Sequence, residues 1–166
     1  MTTSLKSAQR QSFTGVRLRR HSDYQRAYAA SRKRQSASMS WFLAPQSSAF
    51  IAADSPTSHP SDKDLSLGTP TGPRVGLTAG KVLGKAHERN RIKRRMKEAL
   101  RRHLDLLPPG CDLILHPRRT VLTMDFRKLE AEIVRILKQA TAEQQAKIEA
   151  ARMKQNPNPP AEPQVP

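Results

Sequence analysis

The sequence predicts a small α+β domain in which helices and short strands follow one another along the chain. Three segments with helical periodicity are separated by three short apolar segments whose patterns are typical of strands. Stretches rich in proline, glycine and serine separate these segments and mark their ends. A chain of 166 residues has room for one compact domain with additional segments at its ends.

The first predicted helix begins near Ser22. Ser22 and Gln25 have the spacing of a capping box, in which the serine hydroxyl accepts a bond from the first turn, and the helix is expected to run to Ala30. Three of its side chains share one face: Tyr24, Ala27 and Tyr28.

The next segments predict strands. Two sets of side chains alternate between residues 38 and 43, which favours a strand with two different faces. The core face carries Met39, Trp41 and Leu43, and the other face carries Ser38, Ser40 and Phe42. Residues 74–78 are the next expected strand, and residues 112–116, which Pro117 closes, form a short apolar run typical of a buried strand.

Two longer helices are expected in the second half of the chain. Residues 88–104 contain good helix formers without glycine or proline, and the Pro-Pro-Gly sequence at 108–110 prevents further extension. A helix beginning near Asp125 carries an apolar seam at helical spacing, formed by Phe126, Leu129, Ile133, Ile136, Leu137 and Ala140. Its continuation to Gln155 is expected to project into solvent.

The predicted organisation has three parts. Residues 1–16 are polar and serine-rich, which predicts a flexible N-terminal arm. Residues 17–140 form the folded domain, with an inserted flexible loop at 45–73 that is rich in Ser, Pro, Asp, Thr and Gly. Residues 141–166 are expected to form a helical extension followed by a disordered, proline-rich tail.

Cysteine content and hydropathy predict a cytoplasmic protein. Cys111 is the only cysteine, which excludes an intrachain disulfide and a zinc site with several thiolates, and we expect it to be a buried bystander. The N-terminal segment lacks the apolar core of a signal peptide, and no apolar run is long enough to span a bilayer.

Positive charge is concentrated in two segments, which indicates a polyanion-binding surface. The formal net charge is +16. Residues 17–34 contribute +6 and residues 74–103 contribute +9, so these two segments carry nearly all of it. A glycine-rich phosphate loop and a cluster of His, Cys and Asp with metal-ligand spacing are both missing from the sequence.

The second predicted helix has one apolar face and one basic face. The docking face carries Ile92, Met96, Ala99, Leu100 and His103. The opposite face carries Asn90, Arg94, Lys97 and Arg101, and a second basic row carries Arg91, Arg95 and Arg102. Two such rows of side chains could straddle phosphates, whereas the ordinary alternative is a solvated basic face.

The order and spacing of several motifs resemble the bacterial ribonuclease P protein component. The resemblance lies in Arg74-Val75-Gly76-Leu77, then Lys81-Val82-Leu83-Gly84-Lys85-Ala86, then Arg89-Asn90-Arg91-Ile92-Lys93-Arg94-Arg95. Asp23-Tyr24-Gln25-Arg26-Ala27-Tyr28 is similar to that family's first helix. The resemblance implies a small α/β sandwich, with three helices on a short mixed sheet and a left-handed βαβ crossover that carries the Arg-Asn-Arg helix.

The same resemblance implies a function. Proteins of this family are subunits of a ribonucleoprotein that cuts the 5′ leader from precursor tRNA and so generates the mature 5′ end. Catalysis belongs to the RNA subunit and uses Mg²⁺, so no residue of the protein is expected to be catalytic or to bind a metal. The implied partners are the ribonuclease P RNA and precursor tRNA, with one protein monomer in each protein–RNA heterodimer and no membrane association.

Two sets of site residues follow from the resemblance. The set expected to bind the RNA subunit, here called the RNR region, comprises Lys85, Arg89, Asn90, Arg91, Lys93, Arg94 and Arg95. The set expected to bind the leader in a cleft between the first helix and the sheet comprises Tyr24, Tyr28, Phe42, Lys81, Arg26 and Arg32. For the three aromatic side chains the ordinary alternative is core packing. His87, expected in a solvated turn, and His103, at the boundary of the helix, need no catalytic role.

Some features depart from the family pattern, and other functions stay open. Ser31 stands where many members have glycine, the loop at 45–73 is longer than usual, and the extension beyond Ala140 is unusual. A ribosomal RNA-binding protein would show similar basicity without requiring an aromatic cleft. A DNA-binding module and a peripheral membrane protein are weaker alternatives, because helix-turn-helix spacing and a lipid-facing aromatic surface are not evident.

Overall fold

The computed structural model describes residues 13, 15–46 and 72–155. These residues form three α-helices and four strands, which confirms the predicted α+β class and adds a two-residue strand that the sequence did not predict. In chain order the elements are α1 (His21–Ala30), β1 (Arg34–Gln35), β2 (Met39–Pro45), β3 (Arg74–Leu77), α2 (Ala86–Arg101), β4 (Cys111–Pro117) and α3 (Phe126–Gln155). Nearly all of the predicted arm, most of the predicted loop and the whole predicted tail lie outside the described residues.

The sheet is mixed, as predicted, with strand order β1-β2-β4-β3. β2 pairs antiparallel with β4, from Met39 opposite Pro117 to Pro45 opposite Cys111. β3 pairs parallel with the other side of β4, so β3, α2 and β4 form a parallel crossover unit. Its left-handed sense stays a prediction. Backbone bonds between Val75 and residues 16 and 18 cover part of the outer edge of β3.

The two faces of the sheet are covered by different helices. On one face, alternate residues of β2 and β4 pack against α2 and α3, and this main core includes Met39, Trp41, Leu43, Leu113, Leu115, Ile92, Met96 and the seam of α3. On the other face, Ala44 and Ile114 pack against Leu18 and Ala27 beneath α1. This packing confirms three predictions: the two-faced strand, the docking side of the basic helix and the α3 seam. The core under α1 is small, so the aromatic side chains packed against it, Tyr24, Tyr28 and Phe42, are only half-buried.

The predicted capping box of α1 is wrong. The helix begins at His21, so Ser22 lies inside the first turn, and Arg20 is the N-cap without a side-chain hydrogen bond to the helix. The Gln25 amide lies 3.1 Å from His21 Nε2 instead. A serine hydroxyl serves as a cap only from the extended backbone position before the helix, which Ser22 does not occupy.

α2 also begins earlier than predicted, because Glu88 caps it. The Lys85 N–H donates to the Glu88 carboxylate at 2.7 Å, so the helix starts at Ala86 and not at residue 88. Gly84 has a φ of 120°, and a Cβ there would lie 2.2 Å from the same carboxylate, so this approach requires glycine. His87, predicted in a turn, is exposed in the first turn of α2. The helix ends at Arg101, before the predicted residue 104, because the chain tightens into a 3₁₀ turn at Leu104–Leu106.

α3 starts and extends as its sequence indicates. The Asp125 carboxylate accepts hydrogen bonds from the backbone N–H groups of Arg127 and Lys128, at 2.9 and 3.3 Å. The helix continues without interruption to Gln155. The division of the chain at residues 16/17 and 140/141 stays a prediction. Among the described residues, no helix is long and apolar enough to cross a membrane.

Cys111 is the buried first residue of β4, as expected. Burial raises the pKa of its thiol to about 11, so the thiol stays protonated near neutral pH.

Candidate RNA-binding surfaces

Four rings lie together between α1 and the sheet, and we call Tyr24, Tyr28, Phe42 and His116 the aromatic cluster. Tyr28 is central: its ring centroid lies 5.0 Å from Phe42 in an edge-to-face arrangement, 5.6 Å from His116 and 6.4 Å from Tyr24. Phe42 and His116 are 5.3 Å apart. The structure therefore brings the three predicted aromatic residues together and adds a fourth ring. All four are half-buried, so part of each ring surface faces solvent.

Secondary structure positions these rings from two sides. Tyr24 and Tyr28 lie one turn apart on α1. Phe42 pairs with Ile114 across β2 and β4, and His116, two residues farther along β4, points to the same face. Gly76 on β3 provides the space for Tyr24, because a Cβ at this position would lie 2.7 Å from the tyrosine ring.

The electrostatics of the cluster favour neutral rings with cations nearby. Burial raises the pKa of Tyr24 and of Tyr28, while burial and the nearby charge of Lys33 lower the pKa of His116. Near neutral pH the Tyr28 hydroxyl is therefore protonated, and its oxygen lies 2.9 Å from His116 Nε2, within hydrogen-bond distance. Arg17 lies close enough to Tyr24 to oppose the rise in its pKa, so one cation lies near Tyr24 and another near His116.

The lowered pKa of His116 predicts a dependence of stability on pH. As pH falls, His116 in the unfolded chain takes up its proton at a higher pH than His116 in the folded chain. We therefore expect the free energy of unfolding to fall as pH drops below about 6.5, until the folded-state pKa is reached. The variant His116→Gln keeps a hydrogen-bond acceptor for Tyr28 but cannot titrate. Urea unfolding of both proteins across this pH range tests the idea, and parallel stability curves would contradict it.

A network of ions around a buried carboxylate anchors α1 to the sheet beside the cluster. The fully buried Asp112 carboxylate on β4 accepts from the Arg74 guanidinium at 2.7 and 2.8 Å and from Arg26 at 3.0 Å. Asp23 on α1 lies 3.2 Å from each of the same two arginines. We call Asp23, Arg26, Arg74 and Asp112 the ion network. It joins α1, β3 and β4, so Arg26, predicted to contact the leader, has a structural role here.

Lys85 and the first half of α2 present polar side chains whose cations form no ion pair among the described residues. Lys85, Asn90, Arg91 and Arg94 are exposed, and Arg89 and Lys93 are half-buried. The two acids of α2 are engaged elsewhere. Glu88 binds the Lys85 N–H and Arg119, whereas Glu98 binds Arg101 and Arg102. These contacts lower the pKa of both carboxyls, so both are ionised near neutral pH, and the RNR region stays strongly positive.

Arg95 differs from the rest of the RNR region. Its guanidinium donates to the carbonyl oxygen of Leu122, at 3.0 Å, and to that of Met124. It therefore ties α2 to the turn that precedes α3, and its contact with RNA stays a prediction. In the predicted second basic row, Arg102 is also engaged: it contacts Glu98 and Glu130 and lies 4.9 Å from the centroid of Phe126.

The two remaining residues of the predicted leader set lie apart from the rings. Lys81 is exposed on the 3₁₀ turn between β3 and α2. Arg32 is exposed just after the end of α1, where it lines a surface pocket. Their contacts with the leader stay predictions.

A family model described as ribonuclease P matches residues 14–141, which include every element from α1 to β4 and the buried seam of α3. The chain belongs to the ribonuclease P protein family. This confirms the resemblance carried by the motifs around α2.

Individual ribonuclease P protein components agree with this assignment. The one from Cyanothece sp. is 30% identical over 125 residues, which cover 75% of this chain and 91% of the relative. The one from Chloroflexus aggregans is 44% identical over 70 residues, and the one from Chlamydia trachomatis is 42% identical over 67 residues. In these two matches the chain spans about half the length of the relative, 52% and 54%.

Solved ribonuclease P proteins share the fold. The protein from Staphylococcus aureus superposes with a TM-score of 0.55 at 20% identity, covering 75% of this chain and 94% of that one. The protein from Thermotoga maritima also gives a TM-score of 0.55 at 20% identity, covering 74% and 96%. Both confirm an arrangement of three helices on a mixed sheet.

Three residues at the aromatic cluster were missed from the sequence: His116, Arg17 and Lys33. A signal for His116 exists, because Asp112, Ile114 and His116 alternate along β4 and so share one face. That signal becomes useful only once β4 is known to lie beside β2 and beneath α1. Arg17 and Lys33 could not be separated from the other cations of a basic segment.

Proposed function

We propose that this chain is the protein subunit of a ribonuclease P ribonucleoprotein in the bacterial cytoplasm. It binds the catalytic RNA through the RNR region and holds the single-stranded 5′ leader of precursor tRNA against the aromatic cluster. The complex then cuts the leader and generates the mature 5′ end of the tRNA. One protein monomer and one RNA subunit form the complex.

The observation that carries this proposal is the aromatic cluster, with one cation near Tyr24 and another near His116. Single-stranded RNA is bound where unstacked bases can lie on aromatic rings while nearby cations hold the phosphates. The rings of Tyr24, Tyr28 and Phe42 are half-buried, and Arg17 and Lys33 supply the charge. A protein that only neutralises duplex phosphates has no need of such a cluster.

The RNR region suits a folded RNA instead. Arg89, Arg91, Lys93 and Arg94 form no ion pair among the described residues, and they lie on a helix whose other face is buried. Arginine side chains on one helix can bridge neighbouring phosphates with planar donor forks. This division assigns the structured RNA subunit to α2 and the flexible leader to α1 and the sheet.

The proposal assigns the chemistry to the RNA subunit and its Mg²⁺ ions. The three buried acids among the described residues are already engaged: Asp23 and Asp112 are bound by arginines, and Glu132 accepts from Ser36 and Ser38. Within the described residues, no group of three or more His, Cys, Asp or Glu could hold a metal ion. The chain's own contribution is to bind, position and neutralise RNA.

Reconstitution tests the proposed function directly. The purified protein is combined with bacterial ribonuclease P RNA at low Mg²⁺, and cleavage of precursor tRNA is measured with and without the protein. We expect the protein to stimulate cleavage, because its cations replace part of the charge screening otherwise supplied by Mg²⁺. Binding of RNA without any stimulation would favour a ribosomal type of RNA-binding protein.

A substitution in the aromatic cluster tests the leader assignment. We expect Tyr28→Ala to weaken binding of precursor tRNA to the reconstituted complex by about 1–3 kcal/mol, the value of one stacked base, and to leave mature tRNA nearly unaffected. Tyr28→Phe keeps the ring but loses the hydrogen bond to His116, so it should behave nearly like the wild type. Equal losses for both RNAs would contradict the assignment.

A further inference from the structure

A second surface feature lies at the C-terminal end of α1. A pocket of about 490 Å³ opens between the end of α1 and the C-terminal part of α3, lined by Ala29, Ala30, Ser31, Arg32, Arg34 and Lys147. Ala29 follows Tyr28 in the chain, and Lys33, whose charge acts on His116, follows Arg32. The pocket therefore lies at the end of the helix that carries Tyr24 and Tyr28.

Two cations in this pocket have no acidic partner among the described residues. Arg32 and Lys147 are both exposed and come from different elements, one after α1 and one on α3. The acid that would normally pair with Lys147 is Glu143, one turn earlier on the helix. Glu143 is instead bound by Arg34, with Nε 2.9 Å from Oε1, while the Arg34 guanidinium lies 4.9 Å from the centroid of Trp41. That pairing leaves the charge of Lys147 available at the pocket.

The rest of the lining suits a ribonucleotide. The last carbonyl groups of a helix lack donors within the helix, and Ala29 and Ala30, the last two residues of α1, line the pocket. A phosphate matches the two cations, and a ribose 2′-hydroxyl can donate to such a carbonyl. The length of α1 from Tyr24 to its end at Ala30 corresponds to about 9 Å, so a strand crossing the cluster reaches the pocket within a short distance.

We propose that the pocket formed by Arg32 and Lys147 binds a phosphate of the precursor's leader, upstream of the nucleotides held by the aromatic cluster. This inference rests on the proposed function and extends the path of the leader onto the C-terminal part of α3. Lys147 lies beyond residues 14–141, the part of the chain that matches the family model. The site therefore combines Arg32 of the matched domain with Lys147 of the extension.

The test uses the reconstituted complex and precursors whose leaders lengthen one nucleotide at a time. For the wild type we expect affinity to rise when the leader becomes long enough to reach Lys147. For Lys147→Glu that rise should be lost, with about two- to fivefold weaker binding of long-leader precursors and unchanged binding of short-leader ones. For Lys147→Ala the negative slope of log affinity against log salt should become shallower by about 0.7, and for long leaders only.

Lys138→Glu is the matched control. Lys138 is also exposed on α3, but nine residues away, which places it on the opposite side of the helix. Lys138→Glu makes the same change in net charge as Lys147→Glu. It should leave the dependence of affinity on leader length unchanged.

Three results would overturn the inference. They are the same profile for Lys147→Glu and the wild type, equal weakening at all leader lengths, and equal effects of Lys147→Glu and Lys138→Glu. Weaker binding of the RNA subunit alone by Lys147→Glu would assign the phosphate to that RNA and also contradict it. Failure of the proposed function is distinguishable, because the wild-type protein would then stimulate no precursor.

Discussion

Replacing both Arg89 and Arg91 with alanine is expected to weaken association with the ribonuclease P RNA about 100-fold. Charge-assisted hydrogen bonds contribute about 1.5–3 kcal/mol each, so loss of two contacts costs ~3 kcal/mol or more. The negative slope of log affinity against log salt should also become shallower by about two, one for each lost phosphate contact. Neither arginine has an acidic partner among the described residues, so the fold should be unaffected. Filter binding or fluorescence anisotropy across a salt series measures both quantities.

The matched control is the double variant Arg135→Ala with Lys138→Ala. It removes the same charge from exposed positions on α3, so it separates a local contact from a general loss of positive field. We expect a small effect on affinity. Equal weakening by both double variants would show that the RNR region is not a specific contact surface.

Replacing Asp112 with alanine is expected to lower the free energy of unfolding by about 3 kcal/mol. Removing one partner from a buried ion pair costs about 3–5 kcal/mol, because the remaining charge stays buried without compensation. We expect the lower end of this range, because the Arg26 and Arg74 side chains are 27% and 22% exposed and are partly solvated. Urea denaturation measures the change directly.

Asp105→Ala serves as the control for Asp112→Ala. Asp105 is an exposed aspartate in the 3₁₀ turn after α2, and its loss should change stability little. If the two variants unfold at the same urea concentration, the ion network does not hold α1 to the sheet. A functional consequence is also expected, since looser α1 packing would displace Tyr24 and Tyr28 and weaken precursor binding.

The elements that could be predicted from the sequence are those whose burial follows a local period. Met39, Trp41 and Leu43 alternate, and Leu129, Ile133 and Ile136 recur at helical spacing, so each pattern shows which face is buried. The motif order around α2 then identified the family. Helix ends were less predictable, because Glu88 caps α2 from inside the helix and Ser22 does not cap α1.

The contacts that could not be predicted join residues far apart in sequence. Asp112 was part of a run interpreted only as apolar, yet its carboxylate is fully buried and is compensated by Arg26, 86 residues earlier. The Glu132 carboxylate holds the turn before β2, 94 residues from Ser38. No local pattern reports such partners. The contacts of Arg95 could not be predicted for the same reason, because its guanidinium binds carbonyl groups near the start of α3.

The strand order has a consequence for how this chain reaches its native state. β2 and β3 do not pair with each other, since both pair with β4, which follows them in the chain. During synthesis, β2 and β3 therefore emerge before their common partner exists. Pairings between distant segments form slowly, so folding depends on late, long-range events. The sheet can close only after the ribosome has added residues 111–117, and until then the positively charged nascent chain exposes its apolar strand faces.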